Sequence, residues 1–327
     1  MKRLLSVLCI TALLLGSITG CGKEEVTLEQ PYDIYETTGS LGLGTTVSAG
    51  AQEYFSKDLC VADDVSLGTD TTDSQVAEGA GTFNLATNEI VYAKNIYERL
   101  YPASTTKILT AYIALKYCTD LSQTVTISEN AANQASDSSV CGLHAGDVIR
   151  MDDLLYGMML RSGNDAAIAI AESISGSVEE FAALMNKEAA ALGATQSHFV
   201  NPNGLPDENH YTSVYDLYLI FQNAVQDQTF LDIISTMSYD VVYTDVNGAG
   251  VEKTWENTNQ YLTGKEKAPE GITVVGGKTG TTGAAGYCLV LYSYNASGQP
   301  IVSIVLKADG KSNLYLLMNE MLSGFAN

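Results

Sequence analysis

Segments with the patterns of β-strands lie near both ends of the chain, and this arrangement restricts the possible folds more than any other feature. Residues 77–83 and 90–94 form one hairpin pattern, and residues 287–294 and 301–306 form another. The pattern between them, from about residue 128 to 235, is helical. Strands from distant parts of a chain join most simply in one antiparallel sheet with helices on its faces. The sequence therefore predicts an α/β chain of the α+β type, with an antiparallel sheet built from both chain ends, helices on both faces and a helical lobe.

Five further elements are predicted with definite bounds. Residues 101–117 are apolar nearly all round after the first turn, which is typical of a buried helix. The clearest other helices are 152–172 and 178–192, and a last helix is predicted at 314–322. Residues 239–255 alternate around an Asn-Gly pair, which predicts another hairpin.

The first residues have the pattern of an export signal. Two basic residues precede an apolar run at 4–15, which is too short to span a bilayer. The run leads into Ile-Thr-Gly-Cys, which resembles a bacterial lipobox and makes Cys21 the predicted lipidation site; an ordinary signal peptide with an incidental cysteine is the alternative. We therefore predict a signal peptide at 1–20, a lipid-anchored flexible tether at 21–50 and one compact domain at 51–327.

The charge of the chain excludes several kinds of partner. It has 17 Lys and Arg against 38 Asp and Glu, for a net charge of −21. Nucleic acid needs basic patches, and anionic lipid attracts basic ones, so neither is an electrostatic partner of this surface. Attachment to a membrane is therefore expected through the lipid on Cys21, at the outer face of the cytoplasmic membrane.

No pattern in the sequence indicates a metal site or a cofactor. Neither a C-x-x-C nor an H-E-x-x-H motif is present, so we expect no metal and no cofactor. Cys60, Cys118, Cys141 and Cys288 follow the predicted lipidation site. Export permits disulfides, and their pairing cannot be deduced from the sequence, but buried small apolar residues are the expectation.

One short motif pairs a hydroxyl with an amine. Ser104 and Lys107 lie three residues apart at the start of the predicted helix, so their side chains share a face and can touch. A lysine whose pKa is lowered by burial or by a neighbouring cation can take the serine proton. The spacing alone is weak evidence, because chance yields about one such pair in a chain of this composition.

Two further motifs have a similar chemical content. Ser162 and Asn164 place a hydroxyl and an amide on one loop, where they can relay a proton and hold a substrate amide. Lys278 and Thr279 begin a Lys-Thr-Gly triplet on a strand predicted at 272–281, and its glycines let a ligand backbone lie against the strand edge. Composition predicts only about 0.1 occurrence of that triplet.

Together and in this order, the three motifs match the signature of penicillin-binding proteins and serine β-lactamases. Their flanks, residues 99–110, 160–172, 198–216 and 277–290, resemble low-molecular-mass D-alanyl-D-alanine carboxypeptidases of the penicillin-binding protein family. The resemblance runs from about residue 77 onward. It implies the fold shared by serine β-lactamases and DD-peptidases, and makes 51–327 the expected catalytic domain.

The resemblance also implies an acyl-enzyme mechanism. Ser104 would be the nucleophile, Lys107 its general base, and Ser162 the shuttle that carries the proton to the leaving amine. The backbone N–H groups of Ser104 and Thr281 would form the oxyanion hole.

The implied substrate is a peptidoglycan stem peptide that ends in D-Ala-D-Ala. Asn164 would hold its peptide amide, and Lys278 and Thr279 would receive its terminal carboxylate. β-Lactams would act as covalent inhibitors of the same serine.

Two alternatives remain at this stage. A serine β-lactamase shares the fold and motifs, but its E-x-x-L-N loop is absent from the sequence. A lipoprotein that only binds or senses its ligand is the other alternative, and the three intact motifs speak against it.

A Ser-His-Asp triad lacks a local signature, since the chain has three histidines and no G-x-S-x-G motif. His198 and His210 are expected to be structural.

Overall fold

A computed structural model describes residues 58–61 and 63–326. The predicted signal peptide, the tether, Cys21 and the domain boundary at residue 51 lie outside these residues. No helix in the described part of the chain is both long and apolar enough to cross a membrane.

The principal sheet is antiparallel and is built from both ends of the chain, as predicted. Its strands are β1 (Ala77–Asn84), β2 (Glu89–Lys94), β7 (Thr273–Thr282), β8 (Gly286–Tyr294) and β9 (Pro300–Ala308). Within the described residues their spatial order is β2-β1-β9-β8-β7, so the first and last parts of the domain meet where β1 pairs with β9. This order leaves β7, which carries Lys278 and Thr279, at an edge.

Both faces of this sheet are covered. Along β8, Leu289 and Leu291 belong to one buried cluster, whereas Val290 and Tyr292 belong to another. Successive side chains of a strand point to opposite faces, so the clusters lie on opposite sides of the sheet. The prediction of helices on both faces is therefore confirmed, and the strands read as apolar runs because both faces are buried.

The helices follow the predicted pattern with one exception. Within the described residues they are α1 (Lys107–Tyr117), α2 (Glu129–Ala132), α3 (Met151–Leu160), α4 (Asn164–Ser175), α5 (Val178–Ala191), α6 (Val214–Ala224), α7 (Gln228–Ser235) and α8 (Lys311–Ser323). Hydroxyls of Ser128, Ser177 and Ser213 accept the backbone N–H three residues on, which fixes the starts of α2, α5 and α6.

The continuous helix predicted over residues 152–172 is wrong. The chain forms α3 and α4 instead, and Ser162 between them has a φ of 63°, which no α-helix accommodates. The apolar residues before and after the break share one periodicity, so the pattern alone does not reveal it. The break exposes the Ser162 hydroxyl to a cleft, as described below.

A second sheet was not predicted. Its order is β3 (Thr124–Thr126), β4 (Val148–Arg150), β5 (Ser238–Thr244) and β6 (Gly250–Glu256). The β5–β6 hairpin agrees with the one predicted around the Asn-Gly pair, whereas β3 and β4 are too short to show an alternating pattern. This sheet packs on α3, where the rings of Tyr156 and Tyr239 stack 3.9 Å apart.

Candidate active site

The three motifs predicted from the sequence converge on one cleft. Ser104 lies in a 3₁₀ turn, Ala103–Thr106, that leads directly into α1. Ser162 lies in the break between α3 and α4, and Lys278 lies on the edge strand β7. The helical lobe and the principal sheet thus each contribute chemistry to the same cleft.

The turn that carries Ser104 is conformationally strained. Ala103 has a φ of 49°, a left-handed conformation that is rare for residues with a Cβ atom. The hydroxyls of Thr105 and Thr106 donate to the carbonyls of Pro102 and Ala103 at 2.7 and 2.8 Å, which holds the turn in place. Strained residues that are held by their surroundings commonly position reactive side chains.

A glycine allows a neighbouring loop to pack against this turn. Gly204 has a φ of 86°, and a Cβ atom at that position would overlap the Ala103 carbonyl. Only glycine therefore permits this approach. The contact brings the carbonyl of the preceding residue, Asn203, to the base of the cleft.

Lys107 is buried at the centre of the site, with a side chain that solvent does not reach. Its Nζ lies 3.0 Å from Ser104 Oγ, 2.8 Å from Asn164 Oδ1 and 2.6 Å from the Asn203 carbonyl oxygen. The last two atoms can only accept hydrogen bonds. A neutral amine that donates its two N–H groups to them directs its lone pair at the Ser104 hydroxyl.

The environment favours that neutral form. Burial lowers the pKa of Lys107 well below the ordinary lysine value, and the nearby charge of Lys278 lowers it further. Both effects act on the charged form, the first by removing water and the second by repulsion. Sequence reasoning named burial or a neighbouring cation as the causes that would lower this pKa, and the structure has both, with burial the larger.

Lys278 is the second buried lysine, with 1% of its surface exposed. Its Nζ donates to Ser162 Oγ at 3.0 Å and to the Thr279 carbonyl at 2.8 Å. Burial lowers the pKa of Lys278 to about 7. Its contact with Ser162 places a proton donor against a hydroxyl, an arrangement that can pass a proton to a group in the cleft.

Two adjoining cavities border Ser104. The larger, of about 340 Å³, includes Ser104, Asn164 and Thr281 in its lining. The smaller, of about 150 Å³, is lined among others by Ser104, Ser162 and Thr279. The predicted catalytic and substrate-binding residues thus all lie at this cleft. Lys107 and Lys278 line neither cavity, but they contact Ser104 and Ser162, which do.

Sequence reasoning missed a third cation. Lys311, the first residue of α8, is exposed and lines the smaller cavity together with Thr258 and Thr279. The hydroxyls of the two threonines lie 2.6 Å apart. Nothing in the local sequence marks Lys311, since it acquires its position only through the packing of α8 beside β8 and β9.

It also missed a buried carboxylate that supports the site. Asp165 is 1% exposed and accepts the backbone N–H groups of Cys141, Gly142 and Leu143 at 2.9 to 3.1 Å. In the same region the Asn164 N–H donates to the Ser139 carbonyl at 2.8 Å. Asp165 thereby fixes the segment that forms one wall of the cleft.

The remaining titratable groups near the site have structural partners. His210 accepts the Val200 N–H at 3.1 Å through Nδ1, so its Nε2–H faces the Thr106 hydroxyl at 2.9 Å. Burial lowers the pKa of His210 to about 4, which keeps the ring neutral.

The described cysteines, Cys60, Cys118, Cys141 and Cys288, are all unpaired, and no group of three metal-ligating side chains lies within the described residues.

Fold and site together define a class: a serine hydroxyl in contact with a buried lysine, on the fold of the serine β-lactamases and DD-peptidases. Residues 69–310 match the model of a peptidase family, S11, described as D-alanyl-D-alanine carboxypeptidase. The chain therefore belongs to the D-alanyl-D-alanine carboxypeptidase family, as the resemblance implied.

Individual relatives agree with this assignment. The chain is 37% identical over 219 residues to the D-alanyl-D-alanine carboxypeptidase DacF of Bacillus subtilis, which covers 65% of this chain and 53% of that protein. It is 32% identical over 240 residues to the D-alanyl-D-alanine carboxypeptidase of Streptomyces sp. strain K15, covering 70% of this chain and 80% of that one. The crystal structure of the Streptomyces K15 DD-transpeptidase superposes with a TM-score of 0.72 at 29% identity, covering 79% of this chain and all of that one.

The coverage differs among relatives. The chain spans little more than half the length of the Bacillus protein and 59% of the length of a DacA carboxypeptidase from Haemophilus influenzae, at 34% identity over 73% of this chain. The family match at residues 69–310 includes the three motifs and the described strands of both sheets.

Proposed function

We propose that this protein is a serine DD-carboxypeptidase that removes the terminal D-Ala from peptidoglycan stem peptides through an acyl-enzyme. One observation carries the proposal. Lys107 Nζ lies 3.0 Å from Ser104 Oγ while its other two contacts are acceptors only, which is the arrangement that a neutral lysine base requires. Family membership supplies the substrate class.

Acylation follows from this geometry. Lys107 takes the hydroxyl proton as Ser104 Oγ bonds to the carbonyl carbon of the penultimate D-Ala. The resulting oxyanion is stabilised by the backbone N–H groups of Ser104 and Thr281, whose residues border both cavities. The C–N bond then breaks, the leaving D-Ala takes a proton through the Ser162 hydroxyl, and the penultimate D-Ala remains as an ester on Ser104.

The smaller cavity fits the leaving D-Ala. Its lining offers the Thr279 and Thr258 hydroxyls and the ammonium group of Lys311. Lys278 lies beneath them and adds positive charge without lining the cavity. A terminal carboxylate placed there would meet a cation and hydroxyl donors, and no described residue of the lining is acidic, while Asn164 would hold the peptide amide.

Hydrolysis of the ester completes the cycle, because water takes the place that the D-Ala leaves. A β-lactam would acylate Ser104 in the same way, but its opened ring stays attached and obstructs the attacking water. Without an E-x-x-L-N loop to position that water, the adduct should persist and the drug should inhibit.

Action of such an enzyme on the cell wall places it outside the cytoplasm. We propose that a lipid on Cys21 holds it at the outer face of the membrane, and that residues 21–50 act as its tether. A Cys21→Ser variant should leave the membrane fraction. A mature variant that begins after residue 21 is the control for retention by an uncleaved signal, and its persistence on membranes would contradict the anchor.

The direct test is release of D-Ala from Nα,Nε-diacetyl-L-Lys-D-Ala-D-Ala. The wild type should release it, and Ser104→Ala should not, with circular dichroism unchanged. Ser297→Ala, in the turn between β8 and β9, is the matched control and should retain activity. Release by Ser104→Ala would contradict the assignment of the nucleophile, and no release by the wild type would favour a binding module.

A further inference from the structure

The two cavities beside Ser104 differ in charge. The smaller contains Lys311 in its lining, whereas among the described residues Asp137 is the only charged one that lines the larger. Resting on the proposed function, we propose that Asp137 is a specificity determinant: it recognises a free amine on the side chain of the residue that precedes D-Ala-D-Ala.

The direction of the substrate follows from the positions of the cations. The terminal carboxylate lies in the smaller cavity, beside Thr279 and Lys311, and the scissile carbonyl lies at Ser104. The part of the substrate that precedes the scissile bond must then extend into the larger cavity, which shares Ser104, Ser139 and Thr281 with the smaller one.

The larger cavity presents few other groups for recognition of a charged side chain. Apart from Asp137 its lining consists of hydroxyl, amide and glycine positions together with an apolar pair, Leu205 and Pro206. The pair can pack on the methylene chain of a diamino acid while a carboxylate meets the amine at its end. None of the described residues in this lining is a cation that could neutralise an anionic side chain.

Asp137 is available for that contact. Its side chain is exposed, and it makes no hydrogen bond or ion pair with another described residue. The loop that follows Pro206 continues with Asp207 and Glu208, so the charge near this end of the cavity is negative as well. A cationic side chain is therefore attracted and a carboxylate repelled.

The test compares two peptides with four enzymes. The peptides are Nα-acetyl-L-Lys-D-Ala-D-Ala, with a free side-chain amine, and its Nα,Nε-diacetyl counterpart. For the wild type, kcat/KM should be about threefold higher for the free amine, the size typical of an exposed ion pair. The ratio should fall to about one in Asp137→Asn and be retained in Asp137→Glu, which keeps the charge.

Asp70→Asn is the matched control. It removes the same charge from an exposed aspartate that lines neither cavity, so the ratio should stay near that of the wild type. Raising the salt to 1 M should reduce the wild-type ratio towards one, because screening weakens exposed pairs.

The outcomes separate the two proposals. Equal ratios in the wild type and Asp137→Asn, with D-Ala released from both peptides, would overturn the role of Asp137 and leave the carboxypeptidase intact. A fall in the ratio that occurs equally in Asp70→Asn would also overturn it, because the effect would then be one of net charge. No release from either peptide would instead overturn the proposed function.

Discussion

Burial of Lys278 should destabilise the folded protein, so its replacement by methionine should raise stability while it removes function. The site holds this amine without a carboxylate partner, and burial lowers its pKa to about 7 from an ordinary 10.5. Methionine fills a similar volume without the cost of removing a charge from water. Active sites commonly sacrifice stability in this way.

The size of the effect follows from linkage. Below about pH 7 both states hold the proton, and between about 7 and 10.5 the unfolded state alone holds it, so wild-type stability rises with pH in that window. At pH 7 the lowered pKa of Lys278 reduces the free energy of unfolding by about 4 kcal/mol, and at pH 9.5 it reduces it by about 1 kcal/mol. Loss of the hydrogen bonds to Ser162 and Thr279 offsets part of this, which leaves a net gain of about 2 kcal/mol at pH 7.

The assay is urea unfolding of wild type and Lys278→Met at pH 7 and pH 9.5. The advantage of the variant should shrink by about 3 kcal/mol between the two. Lys265→Met removes an exposed lysine and serves as the control, whose difference from the wild type should stay nearly constant. A gap for Lys278→Met that is the same at both pH values would refute the reasoning, since the penalty would then not come from a buried charge.

Three other predictions concern the same cleft. The rate of acylation by penicillin should rise with pH as Lys107 loses its proton and fall above about 7 as Lys278 loses its own; a flat profile in stopped-flow measurements would contradict both roles. Asp165→Ala should lower the free energy of unfolding by about 3 kcal/mol, because three backbone N–H groups, two of them buried, lose their acceptor, and unchanged thermal unfolding would show that water replaces it. Gly204→Ala should lower the free energy of unfolding by more than about 2 kcal/mol and slow acylation. Gly248 has a φ of 82° and no neighbour within 4 Å, so Gly248→Ala should lower it by about 1 kcal/mol and leave acylation unchanged. Equal losses of stability in the two variants would exclude a specific contact at Gly204.

Sequence reasoning reached the fold because the signals were long or chemically distinctive. The strands β8 and β9 span nine residues each, most of them apolar, and their turn has the expected composition. The three motifs identified the cleft, because their occurrence together and in this order along the chain is distinctive. What joined these signals was the resemblance to a family, and each motif alone was weak except Lys-Thr-Gly.

The features that it missed depend on tertiary contacts. The Asn203 carbonyl has no side-chain signature, and it reaches Lys107 only because Gly204 lets its loop approach the turn that carries Ser104. Apolar periodicity predicted one helix over residues 152–172 and so missed the break at Ser162, although the motif of Ser162 and Asn164 was itself expected on a loop. The position of Lys311 at the cleft is a result of helix packing, which periodicity does not reveal.

The central claim is that Ser104 forms an acyl-enzyme whose ester is stable when the acyl group comes from a β-lactam. Intact-protein mass after a short penicillin pulse, followed by peptide mapping, tests it most directly. The account predicts one added drug mass, located on the peptide that contains Ser104, persisting after free drug is removed and absent from Ser104→Ala. An adduct that returns rapidly to the unmodified mass over many turnovers would indicate a β-lactamase, and no adduct at all would contradict the acyl-enzyme.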